Sequence, residues 1–279
     1  MIAHPVLSDT LAKNYRWMPR IAGYYFTSIY STTRRLGTFP DDVCPIGARR
    51  VPLADVHRVK AAYVWGDADP TVLVLHGWGT DSTSMMGIVE TAAALGESVV
   101  CFDAPGHGVS PGGQATMSEY AMATVEVLRR FPTIRTVVCH SLGCIAAVSA
   151  IATVGVVRSL IMLAPACTLA GTLERWADER NLPNGLVAEM YRELQRRNGV
   201  PVSHWDIRTL GLPQDLEAVV LRDPDDDWIP ASDAQQILEA YPQIPLRDVA
   251  GTGHHGILRS PLVKAALASA VGHREGDRL

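Results

Sequence analysis

The hydroxyl of Ser141 is the side-chain group in this sequence whose surroundings best fit a chemical role. It lies in residues 139–143, between a β-branched run that predicts a buried strand and a small, apolar run that predicts a buried helix. A strand that turns sharply into a helix forces a serine at the bend outward, and small residues are needed two positions before and after it. Gly143 meets this requirement, whereas Cys139 stands where glycine is usual. The segment therefore predicts an outward-facing nucleophile at a nucleophile elbow.

A serine hydroxyl is a weak nucleophile at neutral pH, so Ser141 would need a nearby base and a group that orients the base. Both occur later in the chain, each directly after an apolar strand pattern. Residues 251–256 contain the adjacent imidazoles of His254 and His255. Residues 222–230 contain a run of carboxylates: Asp223, Asp225, Asp226 and Asp227. The sequence predicts the order serine, aspartate, histidine, with several candidates for the acid and two for the base.

Other chemistries fit these residues poorly. The aspartates imitate the start of a calcium loop, but its sixth position is Trp228 instead of glycine and its twelfth is Ala234 instead of glutamate. Gly106 and Gly108 lack the third glycine of a dinucleotide-binding motif, because Pro111 occupies that place. The histidines and cysteines show no zinc spacing. We therefore expect neither a metal nor an organic cofactor.

The elements that must position these side chains alternate between strand and helix patterns. Strand patterns occupy residues 49–54, 59–65, 71–75, 98–102, 134–139, 159–163, 216–221 and 246–249. Helical patterns occupy residues 81–95, 117–131, 142–153, 231–240 and 262–271. The first two strands are expected to be antiparallel edge strands. The alternation that follows predicts right-handed crossovers and a mostly parallel, twisted sheet with helices on both faces.

The alternation breaks after the sixth strand pattern. Residues 167–209 hold two amphipathic helical patterns, which predict a small helical cap over the carboxyl ends of the strands. Within the cap, Trp176, Met190 and Tyr191 are candidate substrate-pocket residues. Trp228, in the loop of carboxylates, is a further candidate. The expected α/β core then comprises residues 48–166 and 210–279.

Residues 1–47 carry the least specific pattern. An aromatic and apolar helical face includes Tyr24, Tyr25, Phe26, Ile29 and Tyr30. We expect a leader helix packed on the core, and a dimer contact or a cover over the substrate entrance are alternatives. Periodicity alone does not choose among them.

Composition limits the class of protein. The chain has 279 residues, 47% hydrophobic and 19% charged, which fits one large α/β domain with an inserted subdomain. A net charge of −4 without a basic run argues against nucleic-acid binding. Five cysteines without paired spacing predict reduced thiols and a cytoplasmic location. We expect no signal peptide, and no apolar run in the sequence approaches the roughly 18 residues of a membrane span.

Four motifs, taken in order, resemble the α/β-hydrolase family from about residue 48 to the C terminus. They are residues 76–79 (His-Gly-Trp-Gly), residues 102–110, the elbow at Ser141, and the pair formed by Asp226-x-x-x-Pro230 and Gly251-x-Gly253-His254. The resemblance implies the α/β-hydrolase fold, with a small helical cap after the sixth strand.

The resemblance also implies roles for individual residues. Ser141 would be the nucleophile, His254 the general base and then acid, and Asp226 the carboxylate that orients the imidazole. In this family the acid usually stands four residues before a proline, which favours Asp226 over its neighbours. The backbone N–H groups of Trp78 and Leu142 would form the oxyanion hole.

These roles predict a serine hydrolase that cleaves a small-molecule carboxylic ester or thioester through an acyl-serine intermediate. Hydrolysis of a carbon–carbon bond, or acyl transfer to an acceptor other than water, would use the same residues. A haloalkane dehalogenase is disfavoured, because that activity resembles this fold with aspartate in place of Ser141. A non-catalytic ligand receptor of the same fold, and an interaction module built on residues 1–47 as part of a homodimer, are alternatives of other classes.

Overall fold

A single mixed sheet organises the molecule in this computed structural model, which describes residues 10–33 and 44–272. Its eight strands within these ranges are β1 (Arg49–Pro52), β2 (Ala61–Trp65), β3 (Val72–Leu75), β4 (Val99–Phe102), β5 (Thr136–His140), β6 (Ser159–Leu163), β7 (Glu217–Arg222) and β8 (Leu246–Asp248). Their order is β1-β2-β4-β3-β5-β6-β7-β8. The pairs β1–β2 and β2–β4 are antiparallel, and all other neighbours are parallel.

Helices cover both faces of this sheet. The helices of the molecule, including those between β6 and β7, are α1 (Pro19–Tyr30), α2 (Met86–Ala94), α3 (Met117–Arg130), α4 (Gly143–Val154), α5 (Leu169–Asp178), α6 (Asn184–Asn198), α7 (Ile207–Leu210), α8 (Ala231–Ala240), α9 (Gly253–Gly256) and α10 (Pro261–Gly272). Alternate residues of β3 enter two separate cores: Leu73 and Leu75 join the one that includes α3 and α4, while Val72 and Val74 join the one with α2 and α10. The central strands are buried on both faces, as parallel sheets require. The predicted fold class is confirmed.

The segment between β6 and β7 is helical, as the broken alternation predicts. Besides α5 and α6 it contains a short 3₁₀ turn, Val202–His204, and α7, neither of which the amphipathic pattern shows. The α6 helix ends at Asn198, and Gly199 follows with a φ of 75°, a left-handed conformation that glycine adopts without steric cost. At the start of α7, the Asp206 carboxylate accepts a hydrogen bond from the Arg208 backbone amide.

The α1 helix packs against α6 of this inserted segment. A Cβ atom at Gly23 would lie 2.7 Å from Cβ of Glu189, so the close approach of the two helices depends on glycine. The Thr27 hydroxyl donates to the backbone oxygen of Met190. The leader helix thus lies on the inserted segment. Residues 1–9 and 34–43 of the expected leader, and residues 273–279 of the expected core, lie outside the described residues.

One predicted helix is divided in two. Residues 81–95 begin with the 3₁₀ turn Ser82–Met85, and α2 follows it. The turn forms because the Asp81 side chain accepts a hydrogen bond from the Thr83 amide two residues on, which tightens the first turn. In residues 10–33 and 44–272, no helix is long and apolar enough to cross a membrane.

Candidate active site

Ser141 stands at the bend between β5 and α4. Its φ of 55° is unusual for a residue with a side chain and marks a strained turn. The bend is crowded: a Cβ atom at Gly143 would lie 2.4 Å from the His76 backbone oxygen, and one at Gly77 would lie 2.8 Å from Nδ1 of His140. The small residues that flank Ser141 therefore permit a close approach of two strand ends.

A chain of hydrogen bonds connects Ser141 to two loops at neighbouring strand ends. Nε2 of His254 lies 3.1 Å from Oγ of Ser141, and Nδ1 of His254 lies 2.7 Å from Oδ2 of Asp226. An ionised carboxylate only accepts hydrogen bonds, so Nδ1 carries the proton in the neutral imidazole and Nε2 can accept from the serine hydroxyl. All three side chains are buried. The structure thus brings together the serine, histidine and aspartate that the family motifs select.

The second oxygen of Asp226 is also fully engaged. Its Oδ1 accepts hydrogen bonds from the backbone amides of Trp228 at 2.7 Å and Ile229 at 2.9 Å. Burial alone would raise the pKa of Asp226, but the hydrogen bonds from the imidazole and the two amides outweigh it and hold that pKa below its usual value. The carboxylate is therefore ionised and fixed in position at neutral pH.

The competing candidates lie in other positions. Asp225 and Asp227 are exposed, and neither makes the contact with the imidazole that Asp226 makes. The ring of His255 stands 5.0 Å from that of His254, and burial lowers its pKa. Geometry alone thus separates His254 and Asp226 from their sequence neighbours.

Asp223 holds the two loops together, a role that the sequence does not reveal. Its carboxylate accepts hydrogen bonds at 2.6 Å from the backbone amides of both Thr252 and Gly253, just before His254. It also accepts one at 3.1 Å from the amide of Asp225. The Gly253 amide is the main cause that lowers the pKa of Asp223. The signal in the sequence was an aspartate directly after β7, which the pattern marked only as one more candidate acid.

His140, immediately before the serine, contacts the backbone of His254. Its Nε2 lies 2.9 Å from the backbone oxygen of His254, so this nitrogen carries the proton. Its Nδ1 is buried without a hydrogen-bond partner among the described residues. Burial lowers the pKa of His140 far below its usual value, and the nearby His254 adds to this effect. The ring is therefore a neutral donor that fixes the backbone at His254.

Two backbone amides beside Ser141 remain open. In the described residues, the N–H groups of Trp78 and Leu142 donate no hydrogen bond. The loop that carries Trp78 is held firmly, because the Tyr120 hydroxyl donates to the His76 oxygen at 2.7 Å and the Trp78 indole donates to the Thr32 oxygen at 3.3 Å. Both amides thus lack a backbone acceptor within the described residues.

Cys139, at the position where glycine is usual, fits because its side chain enters the core. Its thiol contacts the backbone oxygen of Ile161 at 3.6 Å. The strand keeps its regular pairing there, with Leu75 on one side and Met162 on the other. Burial raises the pKa of Cys139 far above its usual value, so the thiol stays protonated. Cys139 is therefore a buried side chain of the core.

A cavity of about 320 Å³ opens over Ser141. Trp176 from α5 and Trp228 both line it, as the sequence suggests. The Trp228 ring stacks parallel to the His254 imidazole, with 5.6 Å between centroids. Further apolar and aromatic lining comes from α1, the start of α3, the loops that carry Trp78 and Leu142, and the inserted segment: Tyr30, Trp78, Met117, Leu142, Leu169 and Leu194.

Two other predicted pocket residues lie outside this lining, which corrects the sequence-based expectation. Met190 is fully buried between α6 and α1, where its backbone oxygen accepts from Thr27. The Tyr191 hydroxyl donates to Glu174 on the outer side of the insertion, 2.7 Å away. Both are part of the apolar face of α6, and that face is covered by α1 and α5 instead of by a ligand.

One charged group on the cavity wall is neutralised. Arg175 donates two hydrogen bonds, at 2.9 and 3.1 Å, to the buried carboxylate of Asp233. The same carboxylate accepts from the Cys167 amide, so the pair is fixed from both sides. In residues 10–33 and 44–272, no group of three or more histidine, cysteine, aspartate or glutamate side chains could hold a metal ion.

The chain belongs to the alpha/beta hydrolase family, whose sequence profile matches residues 72–266. This range contains the serine, the aspartate and the histidine described above. No curated protein matches the chain significantly.

Solved structures with the same fold include several hydrolases. An esterase from Pyrococcus furiosus is 16% identical, with a TM-score of 0.61 over 87% of this chain and 96% of that one. Mouse alpha/beta hydrolase domain-containing protein 10 is 15% identical, with a TM-score of 0.60 over 83% and 99% of the two chains. Est1E from Butyrivibrio proteoclasticus, with ferulic acid bound, is 17% identical, with a TM-score of 0.59 over 82% and 100%. At this identity the similarity establishes the fold.

Proposed function

We propose that this protein is a serine hydrolase that cleaves a carboxylic ester or thioester through an acyl intermediate on Ser141. The observation that carries the proposal is the continuous hydrogen-bonded chain from Ser141 through His254 to Asp226, with distances of 3.1 and 2.7 Å. Esterases among the structural neighbours support the same class of reaction.

In the first half of the reaction, Oγ of Ser141 attacks the carbonyl carbon and its proton passes to Nε2 of His254. The carbonyl oxygen gains the negative charge and accepts hydrogen bonds from the amides of Trp78 and Leu142. When the carbon–oxygen or carbon–sulfur bond breaks, His254 returns the proton to the departing alcohol or thiol. Asp226 stabilises the transient imidazolium and keeps Nδ1 protonated.

In the second half, water attacks the acyl carbon. His254 takes a proton from this water, and the same two amides stabilise the oxyanion. The bond to Oγ of Ser141 then breaks, His254 gives the proton back to the serine, and the carboxylic acid leaves. No cofactor takes part in this scheme.

The cavity supports an apolar acyl or aryl group as the substrate portion near Ser141. Its volume of about 320 Å³ lies at the small end of ligand pockets. Two ion pairs contribute to its wall, Arg175 with Asp233 and Arg180 with Glu179, and each balances one positive with one negative charge. Five unpaired thiols, Cys44, Cys101, Cys139, Cys144 and Cys167, support a reducing compartment such as the cytoplasm.

The test combines active-site labelling with turnover. We expect a fluorophosphonate probe to modify Ser141 and short p-nitrophenyl esters to be hydrolysed. Ser141→Ala should abolish labelling and lower kcat/KM on the order of 10⁴-fold or more. Ser149→Ala, in the α4 helix that follows Ser141, is the matched control and should behave as the wild type.

Wild-type turnover by the Ser141→Ala protein, or labelling at a different residue, would refute the acyl-serine mechanism. Tight ligand binding without turnover in the wild-type protein would instead favour a receptor of the same fold.

A further inference from the structure

The outer side of the N-terminal segment exposes a concentrated set of apolar side chains. In the described residues nine large apolar side chains are exposed, and four of them fall between positions 17 and 24. Trp17 is 84% exposed, and Met18, Ile21 and Tyr24 are each exposed by about half. We call these four residues the N-terminal apolar face. A cluster of this kind on a water-soluble surface marks a binding site more often than chance exposure does.

The packing of α1 against the rest of the molecule does not require these four side chains to be exposed. The opposite side of α1 already carries a buried apolar stripe, with Ala22 and Phe26 in the main core and Gly23 against α6. The helix is therefore apolar on two sides, and only one of them is covered. A helix that merely joins the core would present polar residues to solvent.

Basic side chains surround the N-terminal apolar face. Residues 10–33 contain Lys13, Arg16 and Arg20 and no acidic residue. The neighbouring α6 helix adds Arg192, Arg196 and Arg197, which pair with only two carboxylates, Glu189 and Glu193. The two elements together have six basic and two acidic side chains, although the whole chain has a net charge of −4. The guanidinium of Arg197 lies 4.9 Å from the centre of the Tyr24 ring, so the charged and apolar groups adjoin.

We propose that the N-terminal apolar face docks on the surface of a membrane that contains anionic lipids. Tryptophan and tyrosine favour the boundary between lipid headgroups and acyl chains, and nearby arginine and lysine side chains pair with lipid phosphates. The apolar side chains of this face therefore match the headgroup–acyl chain boundary, and its basic side chains match the anionic lipid headgroups.

A second copy of the chain fits this face less well. A symmetric dimer places the same patch of each protomer against the other. Arg16 and Arg20 would then approach their own counterparts, and residues 10–33 offer no carboxylate to neutralise them. Charge complementarity therefore favours an anionic surface over self-association.

The docking surface is connected to the cavity over Ser141. The α1 helix ends at Tyr30, and both Tyr30 and Ser31 line the cavity. Tyr30 lies six positions after Tyr24 in this helix, a distance of about 9 Å along the axis. A docked molecule would thus hold the cavity close to the lipid. Delivery of an ester from the membrane rests on the proposed function, whereas docking itself does not.

The experiment measures flotation of the full chain with vesicles of phosphatidylcholine mixed with phosphatidylglycerol, and with phosphatidylcholine alone. We expect binding to the mixed vesicles that weakens as salt is added. The double variants Trp17→Ala with Ile21→Ser, and Arg16→Glu with Arg20→Glu, should each reduce the partition coefficient at least about tenfold. Met122→Ser and Arg130→Glu, exposed on α3, are the matched controls and should bind as the wild type does.

The Ser141→Ala variant and a measurement of oligomeric state separate membrane docking from catalysis and from self-association. Ser141→Ala should retain vesicle binding, because docking does not use the chemistry. If the wild-type protein fails to float with mixed vesicles at low ionic strength, or both double variants still bind, the proposal is overturned. A concentration-dependent dimer that both double variants abolish, without vesicle binding, would assign the face to a second copy and also overturn it. Hydrolysis of soluble esters is measured separately, so failure of docking leaves the proposed reaction unaffected.

Discussion

The two sides of the cavity are held in different ways. On the sheet side, Ser141, Asp226 and His254 each follow a strand end, and backbone amides that donate to the carboxylates of Asp223 and Asp226 fix the loops after β7 and β8. On the opposite side, α1 and the inserted helices meet through side chains, such as the hydroxyls of Tyr30 and Thr172 at 2.7 Å. The first arrangement fixes reacting atoms and tolerates little change. We expect the helical side to change the shape of the cavity when one of its side chains is replaced. Reactivity should therefore depend on the sheet side, and substrate selectivity on the helical side.

Removing the base from the sheet side should have the largest effect. His254→Ala eliminates the proton acceptor at Ser141, and we expect kcat/KM for short esters to fall on the order of 10⁵-fold or more. His255→Ala changes an adjacent imidazole that lies outside the hydrogen-bonded chain and should remain within about tenfold of the wild type. Steady-state kinetics with p-nitrophenyl acetate measures both. Equal losses in the two variants would show that the sheet side does not distinguish the two histidines.

The orienting carboxylate should matter somewhat less. Asp226→Asn leaves a group of the same shape but favours the wrong imidazole tautomer, so we expect a loss on the order of 10³ to 10⁴ in kcat with little change in KM. The exposed Asp225→Asn variant is the control. A large rise in KM with unchanged kcat would place Asp226 in substrate binding instead.

A substitution on the helical side should change which ester is hydrolysed fastest and leave the catalytic steps at Ser141 unaffected. Tyr30→Ala removes the ring that meets Trp176 edge to face, 5.6 Å between centroids, and lengthens the cavity. Relative to acetate, kcat/KM for longer acyl esters should rise roughly tenfold. The measurement is a series of p-nitrophenyl esters of graded chain length.

Tyr25→Ala, on α1 but outside the cavity lining, controls for loss of helix packing. If Tyr30→Ala lowered turnover of every ester equally, the helical side would contribute to reactivity and the comparison would fail.

The smallest expected effect concerns stability and its dependence on pH. Asp223→Asn weakens hydrogen bonds to the amides before His254 and should lower the free energy of unfolding by about 1–3 kcal/mol at neutral pH. The folded-state pKa of Asp223 is lowered, so its contribution is complete above the unfolded value of about 3.9 and is lost as the pH falls through the lower folded value. The difference between wild type and variant should therefore narrow at about pH 3.

Urea unfolding of both proteins at the two pH values measures this difference. Asp225→Asn changes an exposed carboxylate in the same loop and should have the same free energy of unfolding as the wild type at both pH values. If the difference in the free energy of unfolding between wild type and Asp223→Asn became larger at low pH, the role given to Asp223 would be contradicted.

The sheet side was largely predictable because its signals are local. The β-branched run before Ser141, the small residues around it and the loops after β7 and β8 all occur within a few positions of the groups they place. The strand-by-helix alternation likewise predicted the fold, since each buried strand has an apolar run of its own. The choice of Asp226 and His254 among neighbouring aspartates and histidines rested on family motifs, because adjacent residues satisfy the same spacing.

On the helical side, the sequence predicted which helix faces are apolar. It did not predict what those faces pack against. Periodicity correctly marks α6 as amphipathic, but Met190 and Tyr191 turned out to contact α1 and Glu174 instead of the cavity. Nothing local shows that Gly23 lets α1 approach α6, or that Asp223 connects the loops before His254 and Asp226. These contacts join residues far apart in the chain.

The sequence by itself determined the α/β class, the position of the serine at a strand-to-helix bend and the order of the polar groups that follow. These features depend on short-range patterns of burial and turn chemistry. Only the tertiary structure decided which aromatic rings enclose the cavity and which side of α1 remains exposed, and it showed the contact between Asp226 and the imidazole that the family motifs predict. Each of these depends on distances between separate elements, and packing in three dimensions sets those distances.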